Sequence, residues 1–85
     1  MRVDDAAALG RAAAAVRQRS RLRQEDVALA AGTGVRFIHD FERGKPTVQA
    51  AKVFRVLEAL GIVVELRDRR GQPIALDADQ KAARP

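Results

Sequence analysis

Residues 24–44 read QEDVALAAGTGVRFIHDFERG, and this stretch decides the fold. Apolar side chains recur at helical spacing on both sides of Gly32, a residue type that ends helices in a left-handed turn. Ala28 is small enough to let two helices cross closely. The stretch therefore predicts a short helix over residues 24–31, a tight glycine turn, and a second helix over residues 35–43, which together form a helix-turn-helix.

A helix on either side completes an all-α domain of about four helices. The first begins after Asp4 or Asp5, either of which can cap it, and ends at the arginine-rich run over residues 17–23. The last spans roughly residues 49–60 and is stopped by Gly61. The residues expected to face the core are Leu9, Ala12, Ala13, Val16, Ser20, Val27, Ala28, Ala31, Phe37, Ile38, Phe41, Val53, Phe54, Val56, Leu57 and Leu60.

A β-branched segment follows the last helix and predicts a short strand over residues 62–67. Its central residues are Ile62, Val63, Val64, Glu65 and Leu66. A lone strand leaves backbone groups unpaired, so it either pairs with the same strand of a second copy or folds back on residues 74–76. We therefore divide the chain into a helix-turn-helix domain with its dimerisation strand (1–67) and a turn, weak strand and flexible tail (68–85).

Composition narrows the function classes. Sixteen Lys and Arg against eleven Asp and Glu leave a net charge of +5, and thirteen of the sixteen cations are arginine. This excess indicates either a polyanionic partner or a solvated basic surface. One histidine and no cysteine provide no metal site, and no nucleophile–base set or phosphate-binding glycine loop indicates an enzyme. No signal peptide and no apolar run of about 18 residues is found, so a cytoplasmic protein is expected.

From Leu9 to about Arg67 the chain resembles the lambda-repressor-like, Cro/C1-type (XRE) helix-turn-helix family. The resemblance rests on residues 24–32 and on the run FIHDFERGKPT over residues 37–47. Residues 42–48 and 53–61 are similar to HipB-like antitoxins, the DNA-binding partners of HipA-like kinase toxins.

The resemblance implies a function for individual positions. In this family the third helix enters the major groove and its N-terminal residues meet base edges. The positions that match base contacts are Val35, Arg36, His39 and Asp40. Those that match phosphate contacts are Arg23, Gln24, Gly34, Arg43 and Lys45. Arg17 and Glu42 match a partly buried ion pair between the first and third helices, and the strand matches one that pairs across a dimer.

The chain departs from the family pattern at three turn positions. The family usually has glycine where Arg21 stands, and Ser or Thr at the helix caps where Arg23 and Gly34 stand. The first turn is then either looser, or its arginines have become phosphate contacts. Asp40 either accepts a hydrogen bond from a cytosine amine or, as we favour, neutralises Arg36 and Arg43 across helix turns.

These observations predict a DNA-binding transcriptional regulator of the nucleoid, without cofactor, that dimerises on a palindromic operator. The first hypothesis is a HipB-like antitoxin that represses its own operon and restrains a HipA-like kinase toxin. The alternatives are a stand-alone repressor, and an interaction module that kept the fold and lost DNA binding.

Overall fold

A computed structural model describes residues 1–77 and shows four helices in this range. The helices are α1 (Ala6–Arg19), α2 (Gln24–Ala31), α3 (Val35–Glu42) and α4 (Ala50–Ala59). Each agrees with its predicted span to within about two residues, the usual uncertainty of a helix end. The predicted all-α helix-turn-helix architecture is confirmed.

The ends of the helices follow from local chemistry. The Asp5 carboxylate accepts a hydrogen bond from the Ala8 amide at 2.7 Å and caps α1. Gly32 ends α2 with a φ of 70°, as the left-handed turn requires, and the next amide, of Thr33, donates to the Ala28 carbonyl at 2.9 Å. This turn fixes the angle at which α3 leaves α2.

The core lies where α2 packs against α3 and α4, and where α1 packs against α3. Its fully buried members are Ala13, Val27, Ala28, Ala31, Ile38, Phe41, Val53, Val56 and Leu57. All nine belong to the predicted core. Since α2 and α3 both contribute to it, the helix-turn-helix unit is held by the same apolar contacts that hold the domain.

Gly10 is a buried position that the sequence analysis overlooked. A Cβ atom built at this residue would collide with the backbone carbonyl of Phe41 and lie 3.1 Å from the carbonyl of Glu42. Only a residue without a side chain lets α1 approach the end of α3 this closely. The close approach places the N-terminal half of α1 beside the last turn of α3.

Two predicted core residues are exposed. Ser20 is exposed because α1 ends at Arg19, so Ser20 is the C-cap and does not continue the inward face of the helix. Phe54 was expected inside, yet 58% of its surface is accessible. Its neighbours Val53, Val56 and Leu57 fill the inward stripe of α4, so Phe54 points away from this chain's core.

The segment after α4 forms no strand within residues 1–77. A single antiparallel bridge joins Arg67 to Pro73, and the Ile74 amide donates to the Leu66 carbonyl at 3.2 Å. The predicted turn over residues 68–72 is present, with the Asp68 carboxylate accepting two backbone amides. The base of the intrachain hairpin therefore exists, whereas residues 63–65 make no backbone hydrogen bond within residues 1–77.

The predicted tail at residues 78–85 lies outside the described residues. Within residues 1–77, no helix is both long and apolar enough to span a membrane.

Candidate nucleic-acid interface

The outer face of α3 carries the four side chains predicted to meet bases. Ile38 and Phe41 are buried, which turns Val35, Arg36 and His39 towards solvent. The Arg36 side chain is 86% exposed near the N-terminal end of the helix. Since the helix begins at Val35, its first turn combines an apolar contact surface with a cation, the two features that read a thymine methyl group and a guanine edge.

Asp40 is the least exposed of the four and lies close to three basic side chains. Its carboxylate lies 3.1 Å from Arg36 Nε, 3.5 Å from His39 Nδ1 and 3.7 Å from Lys45 Nζ. Partial burial raises the pKa of Asp40, but hydrogen bonding and charge from Arg36, with smaller contributions from His39 and Lys45, outweigh it and the net shift is downward. Asp40 is therefore an anion at neutral pH.

The cations that Asp40 neutralises are only partly those expected. Arg36 is one of them, as predicted, but the second is Lys45, which follows the turn after α3. Arg43 is wrong as a partner: it makes no ion pair or side-chain hydrogen bond within residues 1–77. Arg43 occupies the C-cap of α3, where the chain turns away from the Asp40 face. Its guanidinium is thus free for an external anion.

Arg36 keeps its recognition groups free. The contact with Asp40 uses Nε, and neither terminal nitrogen has a partner within residues 1–77. A guanidinium needs two N–H groups to bind guanine O6 and N7 together. Asp40 therefore orients Arg36 without consuming the two terminal amino groups.

Behind this surface, a partly buried polar contact joins the first three helices. Arg17 Nε lies 2.6 Å from Glu42 Oε2 and Arg17 Nη2 lies 2.9 Å from Glu42 Oε1, a bidentate ion pair whose side chains are 12% and 8% exposed. The carboxylate raises the pKa of the Arg17 guanidinium, chiefly by accepting its hydrogen bonds. Arg17 Nη1 also donates to the Leu22 carbonyl at 2.8 Å. The pair holds α1, the first turn and α3 together.

Gln24 is attached to the same carboxylate. Its amide nitrogen donates to Glu42 Oε1 at 3.1 Å, which fixes the orientation of the side chain at the start of α2. A primary amide has two N–H donors, and the second is unused within residues 1–77. Glu42 therefore fixes the side-chain amide of Gln24, the residue predicted to contact a phosphate, and leaves one of its N–H groups free within residues 1–77.

Arg23 is the N-cap of α2 and has no hydroxyl group to cap the helix. It makes contacts with two acidic side chains of the first turn instead. The Arg23 amide donates to the Asp26 carboxylate at 2.8 Å, which is the half of a capping box that does not need a cap hydroxyl. This backbone hydrogen bond, followed by the bond from the Arg23 side chain, lowers the pKa of Asp26. The Arg23 guanidinium also lies 3.1 Å from Glu25 and 3.4 Å from Asp26. It is exposed but already paired.

Two turn positions complete the surface. Gly34 is the N-cap of α3 and has an extended backbone, but it has no side chain that could cap the helix. A Cβ atom at this position would meet nothing within 4 Å. Arg21 has a φ of 57°, in the left-handed region that favours glycine. The sequence has Arg21 where the resemblance leads us to expect glycine, but it did not predict that Arg21 adopts the left-handed conformation.

One contact near the interface was not anticipated. Phe37, expected in the core, is half-buried and stacks on Phe41 with ring centroids 6.2 Å apart. The Nζ atom of Lys52 in α4 lies 5.7 Å from the centroid of the Phe37 ring, in a cation–π contact. These rings stabilise α3 against α4 and are not exposed for base stacking.

The described part of this surface contains no candidate metal site. No group of three or more His, Cys, Asp or Glu residues within residues 1–77 is placed to hold a metal ion. The surface combines two arginines without a side-chain partner within residues 1–77, Arg21 and Arg43, with the free N–H of Gln24 and an exposed recognition-type helix. These groups can bind phosphates and base edges.

The chain is similar to known helix-turn-helix proteins. Residues 8–70 match the family model HTH_31, described as a helix-turn-helix domain. A protein of Sinorhizobium fredii (strain NBRC 101917 / NGR234), the uncharacterized HTH-type transcriptional regulator y4mF, is 43% identical over 65 residues. The match covers 76% of this chain and 86% of that protein.

The fold is similar to solved structures of HipB. One is the HipB-O4 20mer complex and another is the HipA-HipB-O2-O3 complex. Each superposes with a TM-score of 0.76 at 23% identity, covering 81% of this chain and 97% of the other. At this identity the similarity establishes the fold.

Proposed function

Because the chain belongs to the helix-turn-helix domain family and is a helix-turn-helix transcriptional regulator, we propose that it binds an operator sequence-specifically as a two-fold dimer and represses its own operon. The family membership and the HipB-like fold confirm the resemblance found in the sequence. The observation that carries the proposal is the exposed first turn of α3, where Arg36 is oriented by Asp40 and keeps both terminal amino groups free.

In this proposal α3 enters the major groove. Arg36 binds guanine O6 and N7, and Val35 contacts a thymine methyl group. Asp40 acts on the bases through the orientation of Arg36, and His39 lies beside it at the groove wall. The expected contribution of a bidentate arginine–guanine contact is about 1–3 kcal/mol of discrimination against another base.

The phosphate contacts surround this helix. Gln24 presents its second N–H, Arg43 its unpaired guanidinium, and Lys45 its partly exposed ammonium. Gly34 allows the backbone at the start of α3 to approach a phosphate closely. These contacts position the protein on any sequence and make its affinity depend on salt.

Dimerisation is supported by the apolar surface after α4. Phe54, Ile62, Val63 and Val64 line one side of an open groove, and Val63 is 80% exposed. Residues 63–65 also have backbone groups without a hydrogen bond within residues 1–77, which a second copy would satisfy in antiparallel pairing. A two-fold dimer would present its two α3 helices about 34–36 Å apart, one turn of DNA, and would select a palindromic site.

The finer assignment is a HipB-like antitoxin that also binds a HipA-like kinase encoded beside it. The fold shared with HipB in its complex with HipA supports this assignment. The second candidate is a stand-alone repressor of the cytoplasm and nucleoid, supported by the relative that is described as a transcriptional regulator.

The first experiment is an electrophoretic mobility shift with the DNA upstream of the protein's own gene. We expect a specific complex, and Arg36→Ala should abolish the preference for this DNA over a scrambled duplex while retaining non-specific binding. Lys45→Ala is the matched control, because it should weaken binding to both duplexes equally. Unchanged discrimination in Arg36→Ala would remove Arg36 from base recognition.

Co-expression with the neighbouring gene separates the two candidates. A stable complex with a kinase-like product that co-purifies with the tagged protein would establish the antitoxin assignment. A protein that purifies alone as a dimer and still shifts its upstream DNA would be a stand-alone repressor.

A further inference from the structure

The turn between α1 and α2 belongs to the same corner of the molecule as the start of α2 and the end of α3. Arg17 holds the turn through the Leu22 carbonyl and holds α3 through Glu42, while Gln24 reaches the same carboxylate. The turn is therefore fixed beside the proposed phosphate donor. A side chain on it has a defined position relative to the DNA backbone.

Arg21 occupies this turn in a conformation that costs stability. Its φ of 57° brings the Cβ atom close to the following carbonyl oxygen, which glycine would avoid. The turn is closed by the Arg21 amide, which donates to the Gln18 carbonyl at 3.0 Å, so the backbone cannot move to an extended conformation without losing this hydrogen bond. Strain retained by a bulky residue indicates a use for its side chain.

Arg21 is also the cation of this turn that has no partner. Its side chain is exposed and makes no ion pair or hydrogen bond within the described part of the chain. Arg23, the neighbouring candidate for a phosphate, is bound to Glu25 and Asp26. A phosphate would have to compete with two carboxylates for Arg23 but with none for Arg21.

We propose that Arg21 is a DNA-phosphate contact that extends the footprint of the protein on the DNA backbone beyond Gln24. The inference rests on the proposed function, since it requires DNA to bind at this corner. It assigns the phosphate-binding role in the turn to Arg21 in place of Arg23.

Substitutions at position 21 separate charge from strain. Arg21→Ala removes the charge and keeps the left-handed strain. DNA affinity should fall about tenfold for each charge-assisted hydrogen bond lost, and so about a hundredfold for the dimer, with the melting temperature unchanged. Arg21→Gly removes both, so affinity should fall equally while the melting temperature rises by about 4–8 °C. Arg21→Lys keeps a cation and should retain most of the affinity.

The assay is fluorescence anisotropy on a duplex of about three helical turns and arbitrary sequence, because a phosphate contact does not depend on sequence. Between roughly 50 and 200 mM salt, the slope of log K against log salt should decrease in magnitude by about 1.8 for Arg21→Ala, which is about 0.9 for each chain of the dimer. Arg11→Ala is the matched control: it removes an exposed, unpaired arginine located about 12–15 Å away along α1.

The outcomes are distinguishable. A slope unchanged in Arg21→Ala, or reduced equally in Arg11→Ala, would overturn the contact while leaving DNA binding intact. A wild-type protein with no salt-dependent affinity for any duplex would overturn the proposed function itself. A melting temperature that rises in Arg21→Gly together with weakened DNA binding is the expected result.

Discussion

Removing Arg17 should destabilise the domain more than any other change of a charged residue described above. In Arg17→Met the Glu42 carboxylate, only 8% exposed, would lose both hydrogen bonds of its bidentate partner. Gln24 alone, at 3.1 Å, would remain to satisfy it. The Leu22 carbonyl would lose a donor in the same step.

The magnitude follows from this burial. Breaking a buried pair by removing one partner costs about 3–5 kcal/mol, and the residual exposure and the Gln24 bond favour the lower end, about 3 kcal/mol. A domain of this length has a total stability of roughly 4–13 kcal/mol, so the loss is a large fraction of the whole. Urea denaturation followed by circular dichroism measures it, at one fixed protein concentration, since dimerisation would add to the apparent stability.

The double variant Arg17→Met/Glu42→Leu provides the control. Replacing both partners by apolar groups leaves no uncompensated charge, so it should be more stable than Arg17→Met alone. Additive losses in the double-mutant cycle would show that the two residues do not act as a pair. A cost below about 1 kcal/mol in Arg17→Met, typical of an exposed pair, would refute the argument from burial.

Three further changes test other parts of the structure. Gly10→Ala should cost about 3 kcal/mol or more by thermal denaturation, because its Cβ would collide with the Phe41 carbonyl; a smaller cost would show that α1 can move away from α3. Gly34→Ser should stabilise by a few tenths of a kcal/mol by capping α3, and tighten binding to any duplex if the hydroxyl reaches a phosphate. Asp26 and Asp40 have lowered pKa values in the folded state, so their contribution is present above the unfolded-state pKa of about 3.9 and is lost as the pH falls through the lower folded-state values. Acid titration of the unfolding free energy should show this loss below about pH 4, and the loss should shrink when both are replaced by asparagine.

The helices and the core were predictable because one cause dominates each of them. Helical spacing of apolar residues and a glycine at the end of α2 are sufficient to place these elements, and Ala28 and Phe41 are buried as expected. Burial is not set by spacing alone at Phe54, whose outward direction depends on which stripe of α4 meets α2. An apolar residue beside a buried stripe is compatible with a second interface, and the sequence does not distinguish the two.

The candidate site was less predictable because its contacts depend on how turns bring distant residues together. Lys45 reaches Asp40 only because the chain reverses after α3, so helix spacing wrongly selected Arg43. Gly10 was missed because nothing local marks the approach of a carbonyl from another helix. The base and phosphate contacts on this surface remain predictions, which the variants of Arg36, Lys45 and Arg21 address.

The acidic residues in the first turn of α2, Glu25 and Asp26, affect how a DNA phosphate can approach Gln24. Asp26 caps the helix by accepting the Arg23 amide, and its charge also holds the Arg23 guanidinium. A phosphate bound at Gln24 would be repelled by the carboxylates of Glu25 and Asp26, and the positive charge of Arg23 would reduce this repulsion.

Arg23 therefore serves as a counterion to the first turn of α2 and makes it easier for an anion to approach that turn. If Arg23 acts only as this counterion, as we propose, Arg23→Ala should weaken DNA binding, and Arg23→Ala/Glu25→Gln should restore part of the affinity in the same anisotropy assay. If the second substitution restored nothing, Arg23 would have to be a direct contact, and the division of labour between Arg21 and Arg23 would be wrong.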